Sequence, residues 1–88
     1  MTREHVLEIV KRHLVDTIEE LEGVDIEPSQ SMKDLGANSL DIVEVVSLSM
    51  RELKVKIPRA ELSGVGSIGE LVELLYATVA AKERAAAG

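Results

Sequence analysis

Apolar residues recur along this chain at spacings of three and four, and nowhere do they alternate over a length that suits a strand. Leu7, Val10, Leu14, Ile18 and Leu21 make one stripe, which predicts an amphipathic helix over residues 3 to 22, with Thr2 as its cap and Gly23 as its terminator. The following segment, GVDIEPSQSMKDLGAN, holds Pro28 and Gly36 and no sustained period, so it reads as a long loop over residues 23 to 38. A compact domain rarely leaves such a loop unattached. Ile26, Met32 and Leu35 are therefore expected to pin it to the core, with a short turn at Met32–Leu35.

A second helix is predicted from about Ser39 to Leu53, capped by Asn38, with Asp41 in its positively polarised first turn. KVKIPRAELSG breaks the pattern, because Pro58 suits the start of a short helix over Arg59–Leu62 that Gly64 ends. SIGE, Ser67 to Glu70, reads as a capping box before a last helix whose stripe is Ile68, Leu71, Val72, Leu75 and Val79, weakened slightly by Gly69. The expected fold is all-α: a small four-helix bundle with a long loop between helices 1 and 2 and a short third helix. Residues 1–80 are expected to form the domain. Residues 81–88 form a C-terminal tail that either extends the last helix or frays.

The second helix carries apolar residues on two sides. Ile42, Val45, Ser49 and Leu53 share one arc, and Leu40, Val43, Ser47 and Met50 fall on the roughly opposite one, with Val46 and Leu48 between. One arc is enough to join a core. The other is either buried in the bundle centre or an exposed strip for partners, flanked by Asp41, Glu44 and Arg51.

Composition narrows the function classes. The chain has 88 residues and no cysteine, which leaves one domain without disulfides, thiolate nucleophile or Cys-based metal site. A net charge of −6 argues against nucleic acid as a partner. Residues 1–31 hold eight acids against three bases, whereas residues 32–56 are balanced at four against four, so the acidity belongs to the first third. No apolar run approaches a membrane span, and the reading is a soluble, cytoplasmic chain, monomeric by default.

Conventional active sites are absent from the pattern. Ser39 lacks the following glycine of a nucleophile elbow. His5 and His13 lie about 12 Å apart along the first helix, too far to share a metal, and read as partly exposed surface histidines. The cluster Glu19, Glu20, Glu22, Asp25 and Glu27 lacks the ligand spacing of a calcium loop and reads as a solvated acidic face. Neither a metal site nor enzymatic activity is expected.

The run DLGANSLDIVEVV, with the long loop before it, the Pro-led short helix and the final SIGELVELLY, closely resembles acyl carrier proteins over about Val6 to Tyr76. The resemblance implies that Ser39 is the attachment site of phosphopantetheine, added from coenzyme A by a phosphopantetheinyl transferase, and that the arm's thiol carries an acyl group as a thioester. A phosphodiester at a helix N-terminus meets unpaired N–H groups, which suits that role. The resemblance also makes Leu40, Asp41, Val43, Glu44, Ser47 and Met50 the partner-binding surface. The family's usual acid before the serine is here Asn38, and the region of the second helix, residues 32–56, is neutral overall, so docking is expected to depend only modestly on salt. These features look more like a discrete polyketide-pathway carrier, including those of β-branching cassettes, than a fatty-acid one. The implied partners are acyltransferases, ketosynthase-type enzymes and synthases resembling the hydroxymethylglutaryl type. Alternatives are a peptidyl carrier of a nonribosomal synthetase, disfavoured by Ala37, or an unmodified helical adaptor.

Overall fold

Thr2 opens the fold: its hydroxyl oxygen accepts the His5 N–H at 3.1 Å and caps helix α1, Arg3–Thr17. The computed structural model describes residues 2–87 and continues with α2 (Ser39–Leu53), α3 (Arg59–Leu62) and α4 (Ile68–Ala87), with no strand among the described residues. The all-α bundle and the starts of α2, α3 and α4 agree with the sequence pattern.

The helix expected over residues 3 to 22 is instead two pieces. Ile18 is extended (φ −122°, ψ 94°), and a single 3-10 turn, Glu19–Leu21, follows before Gly23. Two local causes act together. Val15, Thr17 and Ile18 are β-branched, and α1 ends without a basic residue while Asp16, Glu19 and Glu20 gather at its negative pole. The break still buries both Ile18 and Leu21. The inward stripe of α1 also includes Val6 and Ile9, while Leu7 stays half-buried.

α1 packs against both α2 and α4. Leu14, Val45, Ile68, Leu71 and Leu75 are fully buried at the centre of an aliphatic core. The expected stripe of α4, Ile68 to Val79, is buried throughout. Ser49 is also fully buried, and its hydroxyl donates to the Val45 carbonyl at 2.8 Å, so no polar group is stranded there. Between α2 and α3 the chain buries Val55 and Ile57 while Lys56 between them stays exposed. Arg3 ties the start of α1 to the first half of α4, its guanidinium 4.4 Å from the Tyr76 ring centre and its Nε 2.8 Å from Glu73.

The long loop is held as expected and by more than side chains. Ile26 and Met32 are buried and Leu35 half-buried. In addition, the Ile68 and Gly69 N–H groups, unpaired within α4, donate to the Gln30 and Pro28 carbonyls at 2.9 and 2.8 Å. Gly69 is where this crossing is closest: a Cβ there would stand 3.2 Å from the Pro28 oxygen. The glycine thus does not merely weaken α4; it admits the loop. The Ser67 hydroxyl accepts the Glu70 N–H at 3.2 Å, and the Glu70 carboxylate turns back to the Gly66 N–H at 2.9 Å.

Candidate functional site

The turn that delivers the chain to α2 explains the run Asp34, Leu35, Gly36. Asp34 and Ser31 exchange hydrogen bonds, each side chain accepting the other's N–H, at 3.3 and 3.0 Å. The Met32 carbonyl accepts from Leu35 and Ala37, at 3.1 and 3.0 Å. Gly36 takes φ +94°, which a residue with a Cβ rarely adopts, and this reverses the chain so that Ala37 is buried and Asn38 leaves in extended form.

Asn38 and Asp41 then form a capping box. The Asn38 side-chain oxygen accepts the Asp41 N–H at 2.9 Å, and the Asp41 carboxylate accepts the Asn38 N–H at 3.2 Å. Ser39, the first residue of α2, is exposed, and its hydroxyl has no hydrogen-bond partner among the described residues. The cap is supplied by its neighbours, so the hydroxyl is left for solvent or for derivatisation. The flanking helix N-terminus favours a negative group at that point.

The two apolar arcs of α2 separate as their spacing allows. Val45, Val46, Ser49 and Leu53 are buried, whereas Leu40 is 80% exposed and Val43 52% exposed, with Glu44 and Ser47 also facing solvent. Asp41 and Met50 are half-buried, Asp41 being committed to the cap and Met50 to a cavity wall. The exposed ridge therefore starts beside Ser39 and runs down α2.

The cavity, about 470 Å³, opens between α2 and the α3 segment. Val43, Val46, Ser47 and Met50 line its α2 wall, beginning one helical turn after Ser39, and Ile57, Arg59, Leu62 and Val65 line the other. Sequence periodicity placed the first group on one helix but had no signal for the second, which meets it only across the fold.

A second, polar hollow of about 380 Å³ lies on the opposite flank, lined by Asp16, Glu19, Glu20, Gly36 and Asp41 among others. Acidic groups therefore gather beside the start of α2. The balanced charge of residues 32–56 is not the charge around α2's start, because the fold brings the acidic end of α1 alongside it.

His5 is exposed and His13 partly exposed, and His13 is also paired. Its side chain keeps 15% exposure, and its Nε2 lies 2.8 Å from Glu52 Oε1, where Arg12 also pairs. The Arg12 hydrogen bond, assisted by His13 and opposed by partial desolvation, holds the Glu52 carboxyl below the ordinary carboxylate range. Among the described residues no group of His, Asp or Glu is arranged to hold a metal, and no helix is long and apolar enough to cross a membrane.

An exposed serine, a neighbour-supplied cap and an adjoining apolar ridge suit covalent carriage rather than catalysis, and residues 12–75 match the family described as the phosphopantetheine attachment site. The chain belongs to that family. It is an acyl carrier protein, a carrier rather than a catalyst, with phosphopantetheine as its covalent prosthetic group. This carrier is 40% identical to the polyketide biosynthesis acyl-carrier-protein AcpK of Bacillus subtilis over 76 residues, covering 86% of its own length and 93% of that protein's. Its identity to the acyl carrier protein of Saccharopolyspora erythraea is 29% over 80 residues, 91% of this chain and 84% of that one. Among solved structures it is similar to the acyl carrier chain in the crystal structure of the curacin biosynthetic pathway HMG synthase in complex with acetyl donor-ACP, with a TM-score of 0.78 and 39% identity over 86% of this carrier and 96% of that chain.

Proposed function

We propose that Ser39 is the residue that receives phosphopantetheine and that this carrier delivers acyl groups in polyketide biosynthesis to a synthase of the hydroxymethylglutaryl type. The observation that carries the reading is the uncommitted, exposed hydroxyl of Ser39 at the first position of α2, held there by the Asn38 and Asp41 cap. The similarity to AcpK supports the pathway class, and the similarity to a carrier complexed with HMG synthase supports the partner.

Loading forms a bond between Ser39 Oγ and the phosphorus that bears pantetheine in coenzyme A. The pyrophosphate bond of coenzyme A breaks, the adenosine bisphosphate leaves, and the serine proton passes to a base of the transferase. The arm supplies the thiol that a chain without cysteine lacks. Neutral Asn38 adds no charge beside the new phosphodiester, and the α2 N-terminus favours it.

Partners are proposed to dock on Leu40, Val43, Glu44 and Ser47, with Asp41 and Met50 at the edges. The same surface would serve the phosphopantetheinyl transferase, acyltransferases and ketosynthase-type enzymes. Burying Leu40 and Val43 supplies the apolar contact, and the carboxylates of Asp41, Glu44, Asp16, Glu19 and Glu20 favour a basic rim on the partner.

Intact-mass measurement after incubation with coenzyme A and a broad-specificity transferase tests the assignment. One pantetheine adduct on the parent and none on Ser39→Ala is the expected result. An adduct that survives Ser39→Ala, or none on the parent, refutes it.

A further inference from the structure

Side chains from both neighbouring helices bind the last turn of α2. From α1, Arg12 and His13 meet the Glu52 carboxylate. From α4, the Lys82 ammonium donates to the carbonyl of Lys54, the residue that ends α2. Lys82 lies past Val79, the end of the buried α4 stripe, so this bond returns the exposed end of α4 to the bundle. The peptide unit that receives it is engaged on its other side as well: the Val55 N–H donates to the Met50 carbonyl at 3.0 Å. Lys82 therefore reaches Met50 through a single peptide plane, whose carbonyl is bound by α4 and whose N–H is bound by α2.

A cation suits that position. The last carbonyls of a helix carry its negative pole, and a lysine stem lies along the surface while its ammonium binds them. A hydrogen bond at one end of an amide polarises it and strengthens the bond at the other end, so the Lys82 and Met50 contacts support each other. Both act on Lys54, whose left-handed backbone (φ 58°) has no glycine to relieve it. We propose that Lys82 is a positioning residue for partner docking: it fixes the peptide between Lys54 and Val55, and with it the turn of α2 that presents Met50 at the edge of the partner surface. Residues through Lys82 then belong to the working domain. The inference rests on the docking surface proposed above. Because Lys82 is exposed, its effect is small and weakens with added salt.

The test compares the full chain with Lys82→Met, which keeps the stem and removes the ammonium, and with Lys82→Arg, which keeps the charge. Amide hydrogen exchange reads the peptide unit, and loading by a broad-specificity phosphopantetheinyl transferase with coenzyme A reads docking as the KM for the carrier. Lys82→Met should speed exchange at Lys54 and Val55 by about two- to fivefold, the range for a cation at a helix C-terminus, while Leu71 in the core keeps its rate. It should raise KM by a similar factor with kcat unchanged, and Lys82→Arg should restore both values. Unchanged exchange at Lys54 and Val55, or an unchanged KM, overturns the proposal. Faster exchange that extends to Leu71, or a fall in kcat alone, overturns it as well, because either marks a general loss of fold. A parent chain that takes up no pantetheine removes instead the carrier reading, and the docking role with it.

Discussion

Asn38 and Asp41 cap each other, side chain to backbone in both directions, and Ser39 sits between them with its own hydroxyl uninvolved. A serine placed immediately before a helix ordinarily acts as the cap itself, its oxygen occupied by a backbone N–H. Moving that task one residue back leaves Ser39 both at the helix's positive end and available.

The cap has a measurable contribution. Asn38→Ala should cost about 1 kcal/mol, lowering Tm by about 4–8 °C for a domain of this size, while Asn38→Asp, an equally good cap, should stay within a few tenths of a kcal/mol. Urea or thermal denaturation of the unmodified protein checks both. Equal losses in the two variants would show that the cap is not the source.

α2 ends on Lys54, which takes a left-handed conformation (φ 58°, ψ 42°) where helices usually place glycine. The Lys54 carbonyl accepts from the Lys82 ammonium, a contact that does not depend on the Lys54 side chain. Lys54→Gly should therefore stabilise the fold by about 0.5–1 kcal/mol. A destabilised variant would contradict this assignment of strain.

Gly69 gives the opposite expectation for a glycine in a helix. Alanine is favoured over glycine in helix interiors by about 1 kcal/mol, yet its Cβ would press on the Pro28 carbonyl that accepts the Gly69 N–H. Gly69→Ala should show no gain in Tm and faster hydrogen exchange at the Ile68 and Gly69 amides. The full propensity gain, with unchanged exchange, would mean that the loop crossing yields freely.

The two arcs of α2 should respond differently to truncation. Leu40→Ala should alter stability by less than about 0.5 kcal/mol while slowing acyl transfer to the partner synthase, whereas buried Leu53→Ala should cost about 2–5 kcal/mol. Chemical denaturation and single-turnover transfer assays separate these effects. Undiminished transfer from Leu40→Ala would move the docking surface elsewhere.

Glu52 links folding to acidity. Its carboxyl, held low chiefly by Arg12, contributes stability that is present above its ordinary value near pH 4.5 and lost as pH falls through the lower folded-state value. The advantage of the parent over Glu52→Gln should accordingly shrink below about pH 4.5 and also on adding salt, because the pair is partly exposed. Denaturation midpoints across that interval measure it. A constant difference between the two proteins would exclude the linkage.

What sequence by itself determined was local. The start of α2 at Ser39, its cap at Asn38, the short helix Arg59–Leu62 and the buried stripe of α4 all follow from contacts among residues three or four apart, and such contacts leave their spacing in the chain. The run DLGANSLD at a helix junction was legible through its resemblance to acyl carrier proteins. The tertiary structure alone decided the rest. Which arc of α2 faces water depends on where α1 packs. Gly69's purpose depends on Pro28, about forty residues earlier, and the surroundings of Ser39 depend on the acids of α1. The pairing of Glu52 with Arg12 and His13, and the cavity that α2 shares with the α3 segment, join side chains far apart in sequence. Such meetings leave no period to read, since they are set by how whole helices bury their apolar faces together rather than by the turn of any one of them.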